Sequence, residues 1–407
     1  MDFTIFEHEI DVLTPTLIAA QKLLTEIPAI APESGGDGES KKAAALLAFL
    51  KELGFSNFEQ YPAPDSRVSS GERPNFSVFL EGEQQERTIW VMSHLDVVPE
   101  GERANWKTEP FTLNQKGDKL FGRGTEDNQQ GLVSSLGAAY AFLRLNKKPK
   151  YNVRLLFVAD EEVGSKYGIA YLLKHHRLFS KNDFILVPDA GDREGRTVEI
   201  AEKTGLTVKV HTIGKQTHAS MPDAGANAFL AASDLAVRLY NLQNVFNKKD
   251  ELFSPAYSTF APTKKCANVP NTNTIPGDDV FYMDCRILPS YATKDVFAKM
   301  RECADSVEKQ YGVTVELEAA LSDPSPAVAP DAPVVQSLKA AIKAVKHLEA
   351  ETIGIGGGTV AAHLRKAGFD AVVWSTLDDC AHQSNEYCSV KNMVSDAKVF
   401  TYLFANG

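Results

Sequence analysis

Histidine and carboxylate side chains follow apolar segments at several places along this 407-residue chain. Imidazole nitrogens and carboxylate oxygens together are the ligands of zinc, cobalt and manganese ions in hydrolase sites. Taken singly, each residue would be an ordinary turn, surface or core residue, but their shared position favours a common metal site. The residues are His94 and Asp96 in SHLDVVP, Asp127 in GRGTEDNQQG, Glu161 and Glu162 in ADEEVGS, Asp189 after FILVP, and His382 in AHQSNEY.

The apolar segments before these residues have the pattern of buried β-strands. They alternate with longer segments rich in helix-forming residues, which implies a largely parallel sheet with helices on both faces. Ligands of open α/β sheets bind beyond the carboxyl ends of the strands, so we expect one cleft to collect all of these residues. The predicted strands are residues 88–94, 153–159, 184–187 and 369–376, and the predicted helices are residues 40–53, 128–145, 169–175 and 333–348, the last capped by Asp331.

A different pattern begins near Glu202. Residues 206–211 alternate between apolar and polar side chains, as in a strand with one solvated face. The elements of this region are predicted in the order β-α-β-β-α-β, the split unit of a ferredoxin-like layer. After a proline-rich link at 323–333, the first pattern returns. The predicted domains are a catalytic α/β domain of residues 1–203 and 322–407 and an inserted α+β domain of residues 204–321.

Composition and charge argue against several kinds of partner. Acidic residues outnumber basic ones by 53 to 43, which disfavours nucleic acid or an anionic membrane surface as partner. Five cysteines without a CxxC spacing predict neither a disulfide framework nor a thiolate zinc cage. The beginning, MDFTIFEHEIDVL, lacks the pattern of a signal peptide, and no segment has the ~20 apolar residues of a membrane span. We expect a cytoplasmic protein.

Six motifs of the chain resemble those of the M20 metallopeptidase family. They are SHLDVVP, GRGTEDNQQG, ADEEVGS, THASMPDAGANA, NTIPG with YMDCRILP, and AHQSNEY, and the similarity runs in order from about residue 10 to the C-terminus. The family includes acetylornithine deacetylase, succinyl-diaminopimelate desuccinylase, aminoacylase, carboxypeptidase G2 and several di- and tripeptidases. The resemblance implies an α/β phosphorylase/hydrolase-like zinc-peptidase domain with an inserted ferredoxin-like lid, or dimerisation, domain.

The resemblance also implies two divalent metal ions, zinc in the first place, with cobalt and manganese as alternatives. By matching positions, His94, Asp127 and Asp189 would hold one ion. Asp127, Glu162 and His382 would hold the other, so that Asp127 bridges the two. A cis peptide bond after Asp127 is implied as well, and it would be of the rare non-proline kind.

Further catalytic residues of the family have counterparts here. Glu161 matches the general base, which takes a proton from water and gives it to the leaving amine. Asp96 matches the carboxylate that orients His94. His218, in THASMPDAGANA, matches the lid histidine that stabilises the oxyanion. In the family the partner subunit of a homodimer often supplies this histidine, so the resemblance implies a homodimer formed through the lid.

Two regions are expected to bind the substrate. Asn273 and Arg286 match lid residues that hold a substrate carboxylate, although a salt bridge within the strand explains Arg286 equally well. The turn GIGGGTVAAHLR at 354–365 enters a helix whose amides could bind an anion, with Gly357 and Thr359 as the contacts. This run departs from the Ser-Asp-Gly-Arg type of the desuccinylases and from the usual dipeptidase run, so the substrate class stays open at this point.

The function that follows from the resemblance is hydrolysis of the amide bond of an N-acyl amino acid with a free carboxylate, as in desuccinylases and deacetylases. A di- or tripeptidase or a carboxypeptidase acting on a short peptide is the alternative. A non-catalytic peptide-binding relative should have lost a ligand or Glu161, and a one-metal amidohydrolase typically has a cysteine where this chain has Asp127. Nucleotide binding does not fit, because GRGTEDN lacks the Walker lysine and the Rossmann spacing.

Overall fold

The structure, a computed structural model, describes residues 3–321 and 326–407. The predicted boundary after residue 321 and the first part of the proline-rich link fall on residues 322–325, which lie outside the described residues. Across the described ranges, no helix combines the length and the apolar character needed to cross a bilayer. The chain divides into two compact units, the first of Met1–Ile200, Val328–Ile353 and Thr359–Gly407 and the second of Ala201–Ala327 and Gly354–Gly358.

Strands and helices alternate along the chain as the sequence pattern indicates. The α-helices are α1 Phe3–Thr25, α2 Ser40–Glu52, α3 Gly131–Arg144, α4 Ile169–His175, α5 Ala228–Tyr240, α6 Thr293–Tyr311, α7 Pro333–Lys346, α8 Ala361–Lys366 and α9 Val390–Asn406. The β-strands are β1 Phe58–Gln60, β2 Ala63–Pro64, β3 Glu72–Arg73, β4 Phe76–Leu80, β5 Gln84–His94, β6 Asn114–Lys116, β7 Lys119–Phe121, β8 Tyr151–Val158, β9 Phe184–Val187, β10 Thr197–Glu202, β11 Thr204–Ile213, β12 Thr217–His218, β13 Thr259–Lys265, β14 Thr274–Ile275, β15 Asp278–Ile287, β16 Thr314–Leu321, β17 Glu351–Ile355, β18 Ala371–Val373 and β19 Tyr387–Ser389.

The first unit is built on a mixed sheet with the strand order β1-β4-β8-β5-β9-β18-β10-β17. The central strands β8, β5, β9 and β18 are parallel, whereas β4 pairs antiparallel with β8 and β10 pairs antiparallel with β18. The prediction of a largely parallel sheet therefore holds for the centre and not for the edges. Apolar runs indicate that a strand is buried, but they carry no information on its direction.

Helices cover both faces of this sheet. Helices α4 and α8 pack on one face, in a core that includes Met92, Leu156 and Val373. Helices α3 and α7 contact the central strands from the other face, and α1 and α9 pack against α3. Because both faces are covered, residues 89–92 of β5 are at most 3% exposed.

Local backbone geometry moves some elements away from their predicted bounds. Strand β9 and helix α4 begin and end at the predicted residues. The helix predicted from residue 128 begins at Gly131 instead, because the π-helical turn Thr125–Gln130 precedes it and has non-helical backbone at Asp127. The candidate bridging residue therefore lies in a distorted turn before the helix.

The prediction that Asp331 caps the following helix is wrong. Ala332 occupies the cap position of α7, with extended backbone, and Pro333 is the first helical residue. A residue that precedes proline is driven toward extended backbone, which moves the cap one position along the chain. The strand predicted at 369–376 is also shorter, since its pairing with β9 ends at Val373.

The second unit contains an antiparallel sheet in the order β13-β15-β11-β16. Its elements follow one another along the chain as β11-α5-β13-β15-α6-β16, the β-α-β-β-α-β order predicted from the sequence. Val208 and Val210 are buried in a core shared with α5 and α6. Thr207, Lys209 and His211 alternate with them on the opposite, solvated face.

The bounds of the second unit differ slightly from the predicted domain at 204–321. The compact unit begins at Ala201 and extends to Ala327, and it also includes Gly354–Gly358. This short glycine-rich segment is attached by backbone hydrogen bonds, from Lys203 N–H to the Ile355 oxygen at 3.0 Å and from Gly354 N–H to the Leu252 oxygen at 2.7 Å. Long-range pairing of this kind leaves no local signal in the sequence.

Candidate metal centre

The candidate metal-site residues of the first unit lie at one edge of its sheet. Strand β5 ends at His94, β8 ends at Val158 and β9 ends at Val187. These three strands are parallel neighbours, with β5 in the middle. The acidic residues that follow β8 and β9 therefore emerge beside His94, at the carboxyl ends where open sheets place their ligands.

Asp127 lies between two histidines. Its Oδ1 is 2.9 Å from Nε2 of His94, and its Oδ2 is 3.0 Å from Nε2 of His382. The same nitrogen of His382 is 3.0 Å from Oε2 of Glu162, and Nε2 of His94 is 3.5 Å from Oδ1 of Asp189. The structure thus brings together the five residues that match metal ligands, with one carboxylate facing both imidazoles.

The nitrogen and oxygen atoms of this cluster converge closely enough to share cations. In two groups of residues all ligand atoms lie within 4.8 Å of one another, namely His94, Glu161 and Asp189, and His94, Asp127 and Glu162. Oε1 of Glu162 is buried and has no hydrogen-bond partner in the described part of the chain. Buried carboxylates crowded in this way repel one another unless a cation balances them. The donor set therefore fits divalent ions of the zinc type.

Burial and crowding also change the acid–base properties of the cluster. Burial raises the pKa of Glu161 well above its ordinary value, and the neighbouring charge of Asp189 adds to the effect. For Asp127, burial acts upward, but hydrogen bonds from the two histidines outweigh it and lower the pKa. Hydrogen bonds to Asp127 and Glu162 raise the pKa of His382 to about 10. Protons here occupy atoms that a metal ion would take, so protonation and metal binding compete.

Asp96 holds the turn that carries both glutamates. Its Oδ1 accepts a hydrogen bond from the backbone N–H of Glu161 and its Oδ2 accepts one from that of Glu162, each at 3.0 Å. Nδ1 of His94 is 3.0 Å from the backbone oxygen of Asp96 and 3.6 Å from its carboxylate. Since a carbonyl oxygen only accepts, Nδ1 of His94 carries a proton, and Nε2 faces the carboxylates. Asp96 therefore orients His94 through its main chain and the glutamates through its side chain.

Known proteins match this chain over most of its length. Residues 90–406 match the model of peptidase family M20/M25/M40. The chain belongs to this family. An uncharacterized metallohydrolase of Methanocaldococcus jannaschii is 39% identical to this M20 chain, covering 93% of it and 96% of the relative. Succinyl-diaminopimelate desuccinylase of Orientia tsutsugamushi is 25% identical, covering 77% of this chain and 79% of the relative.

Solved peptidase structures have the same fold as the M20 chain. Aminopeptidase PepT of Bacillus cereus matches it with a TM-score of 0.76 at 19% identity, covering 96% of this chain and 98% of that one. A tripeptidase of Staphylococcus aureus has the same TM-score and the same coverage at 17% identity. The α/β fold implied by the motifs is confirmed. Membership of the family makes the protein a metal-dependent hydrolase of amide or peptide bonds, which sets aside the non-catalytic alternative.

The M20 cluster depends on a carboxylate that the sequence analysis did not single out. Glu386 is fully buried, and its Oε1 accepts from the backbone N–H groups of Glu126 and Asp127 at 3.0 and 3.2 Å. Its Oε2 accepts from the N–H of Gly124 at 3.0 Å and from Nη1 of Arg123 at 2.6 Å. Burial raises the pKa of Glu386 to about 7. This carboxylate shapes the turn that presents Asp127. Glu386 lies in the motif AHQSNEY, and this position could have identified it as a candidate site residue from the sequence.

Asn128 is the second residue that the sequence analysis missed. It follows Asp127 through a cis peptide bond, the bond implied by the M20 resemblance. Its Oδ1 accepts from the backbone N–H of His94 at 3.2 Å. Its Nδ2 donates to the backbone oxygen of Pro188 at 2.7 Å and to Oδ1 of Asp189 at 2.9 Å. One amide side chain therefore links the three chain segments that carry His94, Asp127 and Asp189.

The residue predicted for the oxyanion and a residue predicted for the substrate carboxylate are neighbours within the second unit. His218 ends β12, is exposed, and has its Nδ1 2.7 Å from Oγ of Ser220. Asn273 is exposed as well, and its backbone oxygen accepts from the N–H of Ala219 at 2.9 Å. Strand β12 is thereby joined to the segment that precedes β14.

Arg286 is paired within its own strand. Its Nε and Nη2 donate to the two carboxylate oxygens of Asp284 at 2.8 and 3.1 Å, and its Nη1 donates to the backbone oxygen of Gly356 at 3.2 Å. Arg286 and Gly357 both line a cavity of about 350 Å³ in the second unit. Thr359 belongs to the first unit, where its Oγ1 accepts from the backbone of α8 at 3.2 Å. The salt-bridge interpretation of Arg286 holds, and a substrate carboxylate would share the guanidinium with Asp284.

Proposed function

We propose that this M20 hydrolase binds two divalent metal ions, zinc in the first place, and cleaves the amide bond of an N-acyl amino acid with a free carboxylate. The observation that carries the proposal is Asp127, whose two oxygens each face a different imidazole, as a carboxylate bridging two ions does. A Bacillus subtilis protein of similar fold, at 15% identity and a TM-score of 0.67, is described as a dinuclear metal-binding peptidase of the M20 family. The desuccinylase relative supports the acyl class of substrate.

The proposed ligand sets share one residue. His94, Asp127 and Asp189 would hold one ion, and Asp127, Glu162 and His382 would hold the other. Bound there, the ions supply Lewis acidity and lower the pKa of water. Cobalt and manganese have the same ligand preferences and remain the alternatives to zinc.

Glu161 is the acid–base group of the proposed reaction. Its carboxylate accepts a proton from the water that attacks the carbonyl carbon, and it passes this proton to the nitrogen as the C–N bond breaks. Burial raises the pKa of its carboxyl group, which makes the carboxylate a better proton acceptor. Asp96 fixes the backbone of Glu161, and His218 donates a hydrogen bond to the oxyanion of the tetrahedral intermediate.

A single panel of substrates tests this function. The protein is stripped with a chelator, reloaded with zinc or cobalt, and assayed for amide release from N-succinyl and N-acetyl amino acids. Di- and tripeptides with free and with blocked C-termini are assayed beside them. Metal-dependent release from the acyl amino acids is the expected result. Cleavage of the peptides alone would replace the proposal by the peptidase alternative, and a protein that binds no metal would contradict the proposal itself.

The Arg286→Lys substitution tests the capture of the substrate carboxylate. A hydrogen bond to a charged group contributes roughly 1.5–3 kcal/mol, so we expect KM to rise about 10- to 100-fold for substrates with a free carboxylate. An ammonium group cannot reproduce the paired geometry of guanidinium and carboxylate. The matched control is Arg196→Lys, because Arg196 likewise pairs with an acidic residue two positions before it, Glu194. An equal change in KM for the free acid and its carboxamide would refute carboxylate capture by Arg286.

The homodimer implied for this family is a further part of the proposal. Helix α5 of the second unit exposes a row of apolar side chains, Phe229, Leu230, Val237 and Tyr240, each 46–58% exposed. Contiguous exposed apolar patches mark interaction surfaces. We therefore place the contact between protomers on this face of α5.

The double substitution Leu230→Glu and Val237→Glu is expected to convert the dimer into a monomer, because it buries charge in the contact. Light scattering coupled to size-exclusion chromatography measures the mass directly. The control is Ile5→Glu with Val12→Glu, since these α1 residues are similarly exposed, at 50% and 49%. A dimer that persists in the α5 variant would place the contact elsewhere.

A further inference from the structure

The turn that carries Glu161 and Glu162 is held by buried ionic groups, and two of them, Glu39 and Arg73, have no role in the proposed reaction. Three consecutive backbone N–H groups of this turn donate to carboxylates. That of Asp160 donates to Oε1 of Glu39 at 3.3 Å, and the next two donate to the carboxylate of Asp96. Both carboxylates are buried, Glu39 with 0% and Asp96 with 1% exposure. The backbone of the turn is therefore fixed residue by residue.

A fully buried arginine completes this arrangement. Arg73, at the end of β3, donates from Nε to Oε2 of Glu39 at 2.7 Å and also contacts Oε1 of Glu39 through Nη2. Its Nη1 donates to Oδ1 of Asp160 at 3.0 Å, and Oδ2 of Asp160 accepts from the backbone N–H of Tyr167 at 2.9 Å. The guanidinium thus connects the residue before α2 with the turn that follows β8.

Stability alone is a weak reason for this network. Burying several ions has a high desolvation cost, and well-packed apolar residues are commonly as stabilising as a buried ion pair. Asp160 also has left-handed backbone, with a φ of 68°, a conformation that is uncommon for non-glycine residues. What the network provides is a defined position for the two residues that follow Asp160.

We propose that Glu39 and Arg73 are positioning residues that set the backbone of Glu161 and Glu162. The two glutamates have opposite tasks under the proposed function, on which this inference rests, since Glu161 moves a proton and Glu162 holds a metal ion. Catalytic groups have to be held within about 0.5 Å of their working geometry by the residues around them. Arg73 and Glu39 contact the turn at Asp160, while Asp96 contacts it at the backbone N–H groups of Glu161 and Glu162.

The Glu39→Gln substitution tests this role in the cobalt-loaded protein. Glutamine keeps the size of the side chain but removes the charge opposite Arg73. We expect cobalt affinity to fall roughly 10- to 100-fold, as it does when groups behind metal ligands are changed. The visible absorption bands of the bound cobalt should shift, and kcat should fall at least about tenfold with KM less affected.

The matched control is Glu199→Gln. Glu199 and Arg365 form a second buried bidentate ion pair in the first unit, with bonds of 2.8 and 3.0 Å. Its loss should lower the midpoint of thermal unfolding in the same way as Glu39→Gln, but it should leave the cobalt spectrum and affinity unchanged. A spectrum that changes equally in both variants would overturn the proposal, because the effect would then be one of general stability.

Asp160→Asn is the second variant, for use if Glu39→Gln does not fold. Asparagine is chosen because it tolerates the left-handed backbone of this position. A native cobalt spectrum and affinity in a folded variant of either kind would refute the positioning role. Failure of both variants to fold would refute it as well, since the network would then be purely structural. The cobalt spectrum requires no substrate. A wild-type protein that binds cobalt but cleaves nothing would therefore contradict the proposed function while the positioning test still stands.

Discussion

We expect the Glu161→Gln substitution to lower kcat by roughly 100- to 10,000-fold, the range attributed to general acid–base catalysis, and to leave metal binding intact. The amide side chain has the shape of the carboxylate but cannot accept the proton of the attacking water. The backbone bond from Glu161 N–H to Asp96 is untouched by the change, so the turn keeps its position. Single-turnover kinetics and the metal content of the purified variant measure the two parts of this expectation.

The neighbouring residue provides the matched control. Oε2 of Glu162 is 3.0 Å from Nε2 of His382, so Glu162→Gln should lose a metal ion and lose activity for that reason. The opposite pair of results would exchange the two roles. In that case Glu161 would hold metal with His94 and Asp189, whose ligand atoms also lie within 4.8 Å of one another.

The Asp127→Asn substitution is expected to have the largest effect on metal binding. One oxygen of the carboxylate faces each imidazole, and an amide offers a single weak oxygen ligand in place of two charged ones. We expect loss of at least one ion and a fall in kcat/KM of roughly a thousandfold or more, since bound metal contributes several kcal/mol to the transition state. Metal stoichiometry by atomic emission and cobalt titration measure the loss.

Asp192→Asn is the control for this experiment. Asp192 lies only three residues after Asp189, but its carboxylate caps its own turn, with bonds from the N–H groups of Glu194 and Gly195 at 2.7 and 2.9 Å. This variant should keep both ions even if it is less stable. An Asp127→Asn protein that still binds two ions with native affinity would show that Asp127 does not bridge them.

Local patterns in the sequence predict what depends on local physics. The apolar run of β9 and the helix-forming run of α4 have the bounds that their residues indicate. The burial of β5 predicts where His94 leaves the sheet, because side chains that follow a central parallel strand emerge at its carboxyl end. The alternation along β11 likewise predicts one packed and one solvated face.

Contacts between distant segments could not be predicted in this way. Glu386 and Asp127 are 259 residues apart, and nothing in either segment indicates that a carboxylate of one accepts from the backbone of the other. Two other features also depend on contacts between distant segments and could not be predicted. They are the antiparallel edges of the large sheet and the membership of Gly354–Gly358 in the second unit. The partner of Arg286 was easier to predict from the sequence, because residues two apart on a strand share a face and Asp284 is such a neighbour.

The bond network around Glu386 has a consequence for biosynthesis. The segment from Gly124 to Asp127 is translated long before Glu386 and His382, yet it bonds to both of these late residues. A nascent chain released before residue 382 would lack one imidazole and the carboxylate that shapes the turn at Asp127. The complete cluster, with both imidazoles and with the turn shaped by Glu386, can therefore form only after residue 386 has been synthesised.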